Sequence, residues 1–233
     1  MNILDIAVLA LFAFFLLSGF YRGFLHTILS LGAYVLAFVF ALAMRPLVTN
    51  AIKADAELYN MALYYTEGAE FVGDVELANT AIASISAEQL SGVMENATLP
   101  VPMGERISEN IAREAFLADG ATTLGEYFNL TIVSVFINLL GVLLLFLVLR
   151  LLFAFVIHLI AYARRGLPVL HTADGLLGAC FGLIRGFLAM YLLFLLVPIV
   201  LIILPKAGEL IDASYFGSFF YNSNLLLRLI PGI

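Results

Sequence analysis

The chain has 233 residues, of which 63% are hydrophobic and 12% are charged. Soluble globular proteins have about 45–50% apolar and about 25% charged residues, so this composition argues against a water-soluble enzyme domain and indicates a membrane protein. A formal net charge of −6 also argues against nucleic-acid binding, which needs a basic surface. The single cysteine, Cys180, excludes an internal disulfide and a metal site built from several cysteines.

The first predicted element is a hairpin of two membrane helices. Residues 3–43 are apolar almost throughout, apart from an interruption at residues 18–23. A straight helix of this length would extend about 60 Å, twice the thickness of the hydrocarbon core. We therefore predict one span near residues 3–20 and a second near 24–43, with Pro46 as a stop. The first span has no basic leader and no Ala-x-Ala site, so we do not expect a cleaved signal peptide.

The next segment is strongly acidic. Between Arg45 and Tyr127 the sequence has thirteen acidic and four basic residues. Ser86 and Gln89 have the spacing of a capping box, which marks the start of a helix. We predict an acidic, mostly helical insert outside the membrane over residues 46–127, which serves either as a small cap or as a docking surface for a partner.

Two further spans are expected after the insert. The third begins near Phe128 and continues as far as Tyr162, where the sequence of residues 164–168 ends it. The fourth lies within Leu176–Leu204 and is closed by Pro205. Beyond it, aromatic residues recur at helical spacing and predict an amphipathic helix in the membrane interface: Tyr215, Phe216, Phe219 and Phe220.

These elements give an all-α polytopic membrane protein with about four transmembrane helices. Its predicted parts are an N-terminal helical hairpin (1–45), an acidic insert (46–127), a C-terminal helix pair (128–205) and an interfacial amphipathic helix (206–233). Cytoplasmic loops are enriched in Lys and Arg. Placing Arg22, Arg150, Arg164 and Arg165 inside puts both termini and the insert on the extracytoplasmic side.

The most informative pattern is a repeated heptapeptide. Residues 19–25 (Gly-Phe-Tyr-Arg-Gly-Phe-Leu) recur as residues 182–188 (Gly-Leu-Ile-Arg-Gly-Phe-Leu). Glycines four residues apart lie on one helix face and allow close packing of helices in lipid. We therefore expect a packing role for this face: Gly19, Gly23, Gly178, Gly182 and Gly186. The alternative is an inverted repeat that builds a central pathway, as in transporters.

The repeat also places Arg22 and Arg185 in or near hydrocarbon, where a charge is costly and is usually paired. Asp5 and Asp174 are the nearest carboxylates, but each lies too far along its own helix to reach the arginine there. We predict pairing between the hairpin and the Asp174 segment, with Arg22 and Asp174 as partners. The alternative is that each arginine extends to the lipid headgroups.

Signals of catalysis are weak. His26, His158 and His171 do not have the i, i+4 spacing of a helical metal site, and no phosphate-binding loop or nucleophile elbow is found. Cys180 lies on an apolar helix, where a thiol behaves as a small hydrophobic group. We expect a protein that is not an enzyme, with no catalytic, cofactor-binding or metal-binding residues.

Two motifs resemble those of a known family. Asp5, followed by residues 22–31 (Arg-Gly-Phe-Leu-His-Thr-Ile-Leu-Ser-Leu), is similar to an Asp…Arg-Gly-Phe-x-Arg-Glu-x-x-Ser-Leu pattern. Residues 174–186 are similar to an Asp-Arg-x-x-Gly-x-x-x-Gly-x-x-Arg-Gly pattern. Both patterns belong to the colicin V production protein (CvpA) family, which the chain resembles over about residues 1–45 and 128–204. The insert is far longer than the connection typical of that family.

The resemblance implies a multi-pass bacterial inner-membrane protein that supports toxin production and secretion or envelope homeostasis without being an enzyme. It implies motif residues that pack helices: Asp5, Gly19, Arg22, Gly23, Asp174, Gly178, Gly182, Arg185 and Gly186. The partners expected are the lipid bilayer and either a second copy of the chain or an envelope protein. A small transporter or channel-like oligomer, with a polar path lined by Arg22, Arg185 and the glycine faces, is the alternative.

Overall fold

The structure is a computed structural model that describes residues 2–163 and 173–233. Apart from an isolated bridge between Ala81 and Thr123, every regular element in these two ranges is a helix. The fold is therefore all-α, as the sequence predicts. The predicted end of the third span at residues 164–168, with Arg164 and Arg165, and His171 lie outside the described residues.

The helices follow one another along the chain with short connections. The α-helices are α1 (Ile3–Ala54), α2 (Ala56–Thr66), α3 (Val75–Ala78), α4 (Ala87–Asn96), α5 (Met103–Ala112), α6 (Leu124–Ala163), α7 (Ala173–Leu193), α8 (Val197–Ile203), α9 (Ala207–Asp212), α10 (Tyr215–Asn222) and α11 (Leu225–Arg228). Short 3₁₀ turns cover Gly68–Val72, Ile82–Ser84 and Phe194–Leu196.

Three stretches of helix are long and apolar enough to cross a membrane, among the residues that the structure describes: Ile3–Ala54, Leu124–Leu159 and Asp174–Ile203. Their length meets the requirement of about 20 apolar residues for about 30 Å of hydrocarbon. The four predicted spans thus correspond to three helices, because both halves of the predicted hairpin fall within α1.

Helix α1 is interrupted at Gly23, whose φ of 77° and ψ of 173° are not helical. Arg185 donates hydrogen bonds to Ser18 Oγ on one side of this break and to Ser30 Oγ on the other, each at 3.2 Å. On a straight helix these two serines would be about 18 Å apart. The chain therefore reverses direction at Gly23, inside the segment where the sequence predicts a turn.

The predicted stop at Pro46 is wrong, because α1 continues through this proline to Ala54. Proline lacks a backbone N–H and usually kinks or ends a helix. In apolar helices it is tolerated where neighbouring groups satisfy the freed carbonyl. The residues after Pro46 remain helical because they pack in a different part of the protein: Val48 and Thr49 lie against Gly141.

The described chain divides into two compact units. The first unit comprises Met1–Arg45, Val142–Leu196 and Lys206–Asn224, and contains most of the apolar helix length. The second unit comprises Pro46–Gly141, Val197–Pro205 and Leu225–Ile233. A boundary therefore crosses both α1 and α6, so the long helices contribute to both units.

The second unit contains the acidic segment and has a well-packed apolar core. Phe128, Ile132 and Ile137 on the N-terminal part of α6 are fully buried, as is Ile107 on α5. Helices α2, α3 and α4 begin at side-chain caps, and the capping box predicted at Ser86 is confirmed: Ser86 Oγ accepts from Gln89 N–H, and the Gln89 side chain accepts from Ser86 N–H.

The single amphipathic helix predicted over residues 206–233 is replaced by three short helices, α9, α10 and α11. The break before α10 has a local cause, because Ser214 Oγ accepts from Gly217 N–H at 2.8 Å and starts a new helix. A second break follows at Asn224, whose side chain donates to the carbonyl of Tyr191 on α7 at 2.9 Å.

Candidate functional site

The predicted glycine face forms a close helix contact in the first unit. A methyl group on Gly19 would overlap the carbonyl of Gly178 and would lie 3.0 Å from Gly182 Cα. A methyl group on Gly178 would lie 2.8 Å from the backbone carbon of Gly23. These neighbours are backbone atoms, which cannot rotate away as a side chain can, so the contact requires glycine.

The contact continues along α7 in one direction. Gly178 lies against Gly19 and Gly23, Gly182 against Phe15 and Gly19, and Gly186 against the Phe12 and Phe15 side chains. As the residue number increases along α7, the contacted residue number in α1 decreases, so α7 runs antiparallel to residues 3–22. The structure thus places the five glycines predicted from the repeat along one helix contact, where Gly19, Gly178 and Gly182 meet backbone atoms and Gly186 meets phenylalanine side chains.

Asp174 holds the turn at Gly23. Its Oδ1 accepts from the backbone N–H of Phe24 at 2.9 Å, the first residue after the break. Gly23 has positive φ, and its Cα lies so close to the Asp174 carboxylate that a methyl group there would collide with it. Thr27 Oγ1 donates to the carbonyl of Gly23 at 2.7 Å and secures the other side of the turn. The turn is therefore built by both repeated motifs together.

The predicted ion pair between Arg22 and Asp174 is not formed. Asp174 contacts the residues directly after Arg22, but its bond goes to the Phe24 N–H, and the Arg22 side chain is exposed. The reason is local: Gly23 leaves the helical conformation, so the N–H of Phe24 has lost its helical acceptor and needs another one. A carboxylate at the start of a helix is also electrostatically favourable.

Arg185 is buried, with 3% of its surface exposed. It donates to Ser18 and Ser30, and its guanidinium carbon lies 5.1 Å from the centre of the Phe15 ring. Arg22 and Arg185 occupy the same position of the repeat, yet one is exposed and the other buried. The two copies of the repeat are therefore similar in sequence, but their arginines occupy different environments.

Sequence reasoning missed the role of Arg150 on α6, which it used only to orient the chain. Arg150 Nη2 donates to Ser30 Oγ at 3.1 Å, so Ser30 accepts from Arg150 and Arg185 together. The Arg150 guanidinium also lies over the Tyr34 ring, 4.4 Å from its centre. The sequence signal for this cluster is the position of Ser30 in the first family-like motif, with Tyr34 one helical turn later on the same face.

Asp5 lies elsewhere in the unit and is fully buried. Its Oδ1 accepts from Ser214 Oγ at 2.7 Å and from the N–H of Phe216 at 3.0 Å, and its Oδ2 accepts from the N–H of Asn2. Asp5 therefore joins the start of α1 to the first turn of α10. Next to this contact Phe220, which is almost fully buried, packs against the rings of Phe12 and Phe187.

The arrangement around Ser30 is rich in donors and positive charge. Arg150 and Arg185 both donate to Ser30 Oγ, and His26 lies one helical turn before this serine. No group of three or more His, Cys, Asp or Glu side chains that could hold a metal ion occurs within the described ranges. A basic cluster of this kind can hold an anion, orient helices or both.

Comparison with known families gives one match. A family model described as colicin V production protein matches residues 4–96 and 115–224, which is most of the chain. Neither a curated protein nor a solved structure matches the chain significantly. The matched ranges include both motifs, with Asp5, Ser30, Asp174 and Arg185, and also Arg150.

The match also extends into the acidic segment. Residues 46–96 and 115–127 lie inside the matched ranges. The part left out, residues 97–114, contains α5. The last nine residues, which contain α11, also lie beyond the match.

Proposed function

The chain belongs to the colicin V production protein family, and from this premise we propose that it is a non-enzymatic inner-membrane protein that supports toxin production and secretion or envelope homeostasis through protein partners. The observation that carries the proposal is the family match over both motifs, together with a bundle whose motif glycines are used for helix packing. A bundle of this kind presents a stable surface in lipid, which suits a protein that acts by binding others.

The proposed topology has four crossings. The reversal at Gly23 supports counting α1 as two crossings, because residues 3–22 and 24–45 each have close to the length that the hydrocarbon core requires. The third crossing lies within Leu124–Leu159 and the fourth within Asp174–Ile203. With Arg22 at a cytoplasmic turn, the acidic helices α2 to α5 lie on the extracytoplasmic side.

The alternative, a transporter or channel with a polar path along the glycine faces, is not favoured. Gly19, Gly178 and Gly182 contact backbone atoms of the facing helix, so the face has no space for water or a solute. A path would require these positions to be open. Single cysteines at positions 178, 182 and 186 should accordingly resist a water-soluble thiol reagent in the folded protein.

A complementation experiment tests the proposed function. A bacterial host that secretes colicin V and lacks this protein is supplied with the wild type, with Gly178→Leu or with the control Gly92→Leu on α4, where no atom of the described residues lies within 4 Å. We expect wild type and Gly92→Leu to restore the zone of growth inhibition and resistance to detergent stress, and Gly178→Leu to restore neither. If the strain that lacks the protein secretes normally and resists detergent normally, the proposed function is wrong.

Partners are tested in the same strains. The intact protein, crosslinked in native membranes and isolated, is expected to retain a second copy or an envelope protein. Gly178→Leu should lose this partner and Gly92→Leu should keep it. Isolation of the protein without any bound chain from cells in which it is active would contradict action through partners.

A further inference from the structure

Two arginine side chains of the first unit converge on one serine. Arg150 and Arg185 both donate to Ser30 Oγ, so their guanidinium groups lie close together. His26 lies one helical turn before Ser30 on the same face of α1. Positive charge is therefore concentrated around Ser30.

The carboxylates of the first unit are used or exposed elsewhere. Asp5 accepts its hydrogen bonds at α10, and Asp174 accepts its bond from the Phe24 N–H. Glu209 and Asp212 are exposed on α9. All the acidic residues of the sequence belong to the described part of the chain, and none of them forms an ion pair with Arg150 or Arg185.

Several nitrogen atoms of the cluster have no hydrogen-bond partner among the residues that the structure describes. They are Nε of Arg185, Nε and Nη1 of Arg150, and Nδ1 of His26, and all four are buried. Arg185 is 97% buried, since only 3% of its surface is exposed. Buried polar groups are normally paired, and ionised ones in apolar surroundings nearly always are. The cluster thus has the donors and the charge of an anion site whose acceptor comes from outside the chain.

We propose that Arg150, Arg185 and His26 bind a phosphate-bearing anion, either the headgroup of an anionic phospholipid or free inorganic phosphate. Two planar guanidinium groups offer several N–H donors in a fixed geometry, which suits the oxygens of a phosphate group better than a single small ion. Arg150 is only half-buried, so the anion reaches the cluster from its side while the glycine contacts close the side of Arg185.

An apolar groove lies beside the cluster, on the same two helices. It has a volume of about 310 Å³, and its lining includes Leu29, Gly32, Ala33, Phe153, Val156 and Ile157. Leu29 is adjacent to Ser30, and Phe153 is three residues after Arg150, so the groove begins within one turn of the guanidinium pair. A lipid acyl chain fits this groove when its phosphate is held by the arginines, and free phosphate would leave the groove unused.

The test uses the full-length protein in nanodiscs and in a zwitterionic detergent. In nanodiscs of phosphatidylcholine with a minor share of phosphatidylglycerol, native mass spectrometry measures which lipid the released protein retains. In detergent, thermal unfolding is measured with inorganic phosphate and with sodium chloride of equal ionic strength. Arg185→Gln and Arg150→Gln are compared with Arg113→Gln, which removes an exposed arginine of the second unit.

The wild type and Arg113→Gln are expected to retain phosphatidylglycerol in preference to phosphatidylcholine, or to gain thermal stability from phosphate. Preference for the lipid alone identifies a headgroup ligand, and stabilisation by phosphate identifies the free ion. Each cluster variant should lower the affinity by about tenfold to a hundredfold, because charged hydrogen bonds are lost. Arg185→Lys keeps the positive charge but loses the planar guanidinium donors, so its affinity should lie between those of the wild type and Arg185→Gln.

Two results would overturn the proposal. One is a wild type that retains both lipids equally and gains no stability from phosphate. The other is an Arg150→Gln variant, folded by circular dichroism, that retains phosphatidylglycerol or responds to phosphate as well as Arg113→Gln does. The half-buried position of Arg150 makes this variant the one to use if Arg185→Gln does not fold.

Discussion

The two units of the molecule differ in how far their helices rely on contact between backbone atoms. In the first unit Gly19, Gly178 and Gly182 bring two helices into direct backbone contact. In the second unit large side chains such as Phe128 and Ile132 are fully buried, and Gly68 makes a backbone contact with Asn129. Lipid offers no hydrophobic driving force between apolar helices, so close contact must replace it. The difference suggests that the first unit is built for lipid and the second relies on an ordinary apolar core.

Both units use single carboxylates to accept from free backbone N–H groups. Asp174 does so at Phe24 and Asp5 at Phe216 in the first unit, as Asp55 and Asp74 do at the starts of α2 and α3 in the second. The second unit holds its C-terminal residues with a set of side chains: Arg106 donates to the carbonyls of Arg228 and Ile230, and Asn138 donates to that of Pro231. Arg106 and these tail residues lie outside the family match, so two elements beyond the common pattern bind each other.

The largest effect is expected at the glycine contact. Gly178→Ala should destabilise the protein by about 3 kcal/mol, the upper part of the range for overpacking, because the added methyl group meets backbone atoms of Gly19 and Gly23. Gly32→Ala, where no atom of the described residues lies within 4 Å, should be neutral or stabilise by up to about 1 kcal/mol through helix propensity. Unfolding in detergent micelles measures both. Equal effects of the two substitutions would show that close backbone packing does not hold this unit together.

Removing the carboxylate at the Gly23 turn should have the next largest effect. Asp174→Ala leaves the Phe24 N–H without its acceptor and should cost about 2 kcal/mol. Hydrogen exchange at residues 22–27 should accelerate, since the turn loses its anchor. Asp212→Ala, which removes an exposed carboxylate of the same unit, is the control and should change neither quantity.

In the second unit, Arg106→Ala should release the C-terminal residues. Arg106 also forms an ion pair with Glu109 at 2.6 Å, but this pair is partly exposed, so most of the expected loss of about 1.5 kcal/mol comes from the two carbonyl bonds. Digestion by carboxypeptidase should become faster than in the wild type. Arg113→Ala, an exposed arginine close in sequence, should leave the digestion rate unchanged. Unchanged digestion of Arg106→Ala would mean that the tail is held by other contacts.

The smallest effect is expected at the capping box of α4. Ser86→Ala removes the acceptor of the Gln89 N–H and should cost about 1 kcal/mol. Ser91→Ala on the same helix removes only a hydroxyl that donates to the Glu88 carbonyl, and it should cost less. The measurement is hydrogen exchange of the first turn of α4. Equal exchange rates in the two variants would show that the Ser86 cap does not stabilise the start of α4.

The sequence predicts the features of the first unit that depend on spacing along one helix. Apolar length identifies the membrane helices, and the interruption before Gly23 locates the reversal. The glycines four residues apart identify one face of α7, because residues i and i+4 of a helix lie on the same face. These inferences need no knowledge of the partner helix.

Features that depend on how two helices rotate against each other could not be predicted. The bond between Arg150 and Ser30 joins positions 120 residues apart and depends on the rotation of α6. Asp174 binds a backbone N–H that becomes free only because Gly23 adopts positive φ. The path of α1 through Pro46 depends on packing in the second unit, where Val48 and Thr49 meet Gly141.

The chain reverses at Gly23, so that both halves of the first apolar stretch pack with α7. Labelling of single cysteines with a membrane-impermeant maleimide tests this reversal in sealed vesicles, in a Cys180→Ser background, at the exposed positions Ile3, Tyr21 and Met44. Ile3→Cys and Met44→Cys should react from one side of the membrane and Tyr21→Cys from the other. Reaction of Ile3→Cys and Met44→Cys from opposite sides, as an uninterrupted helix requires, would contradict it.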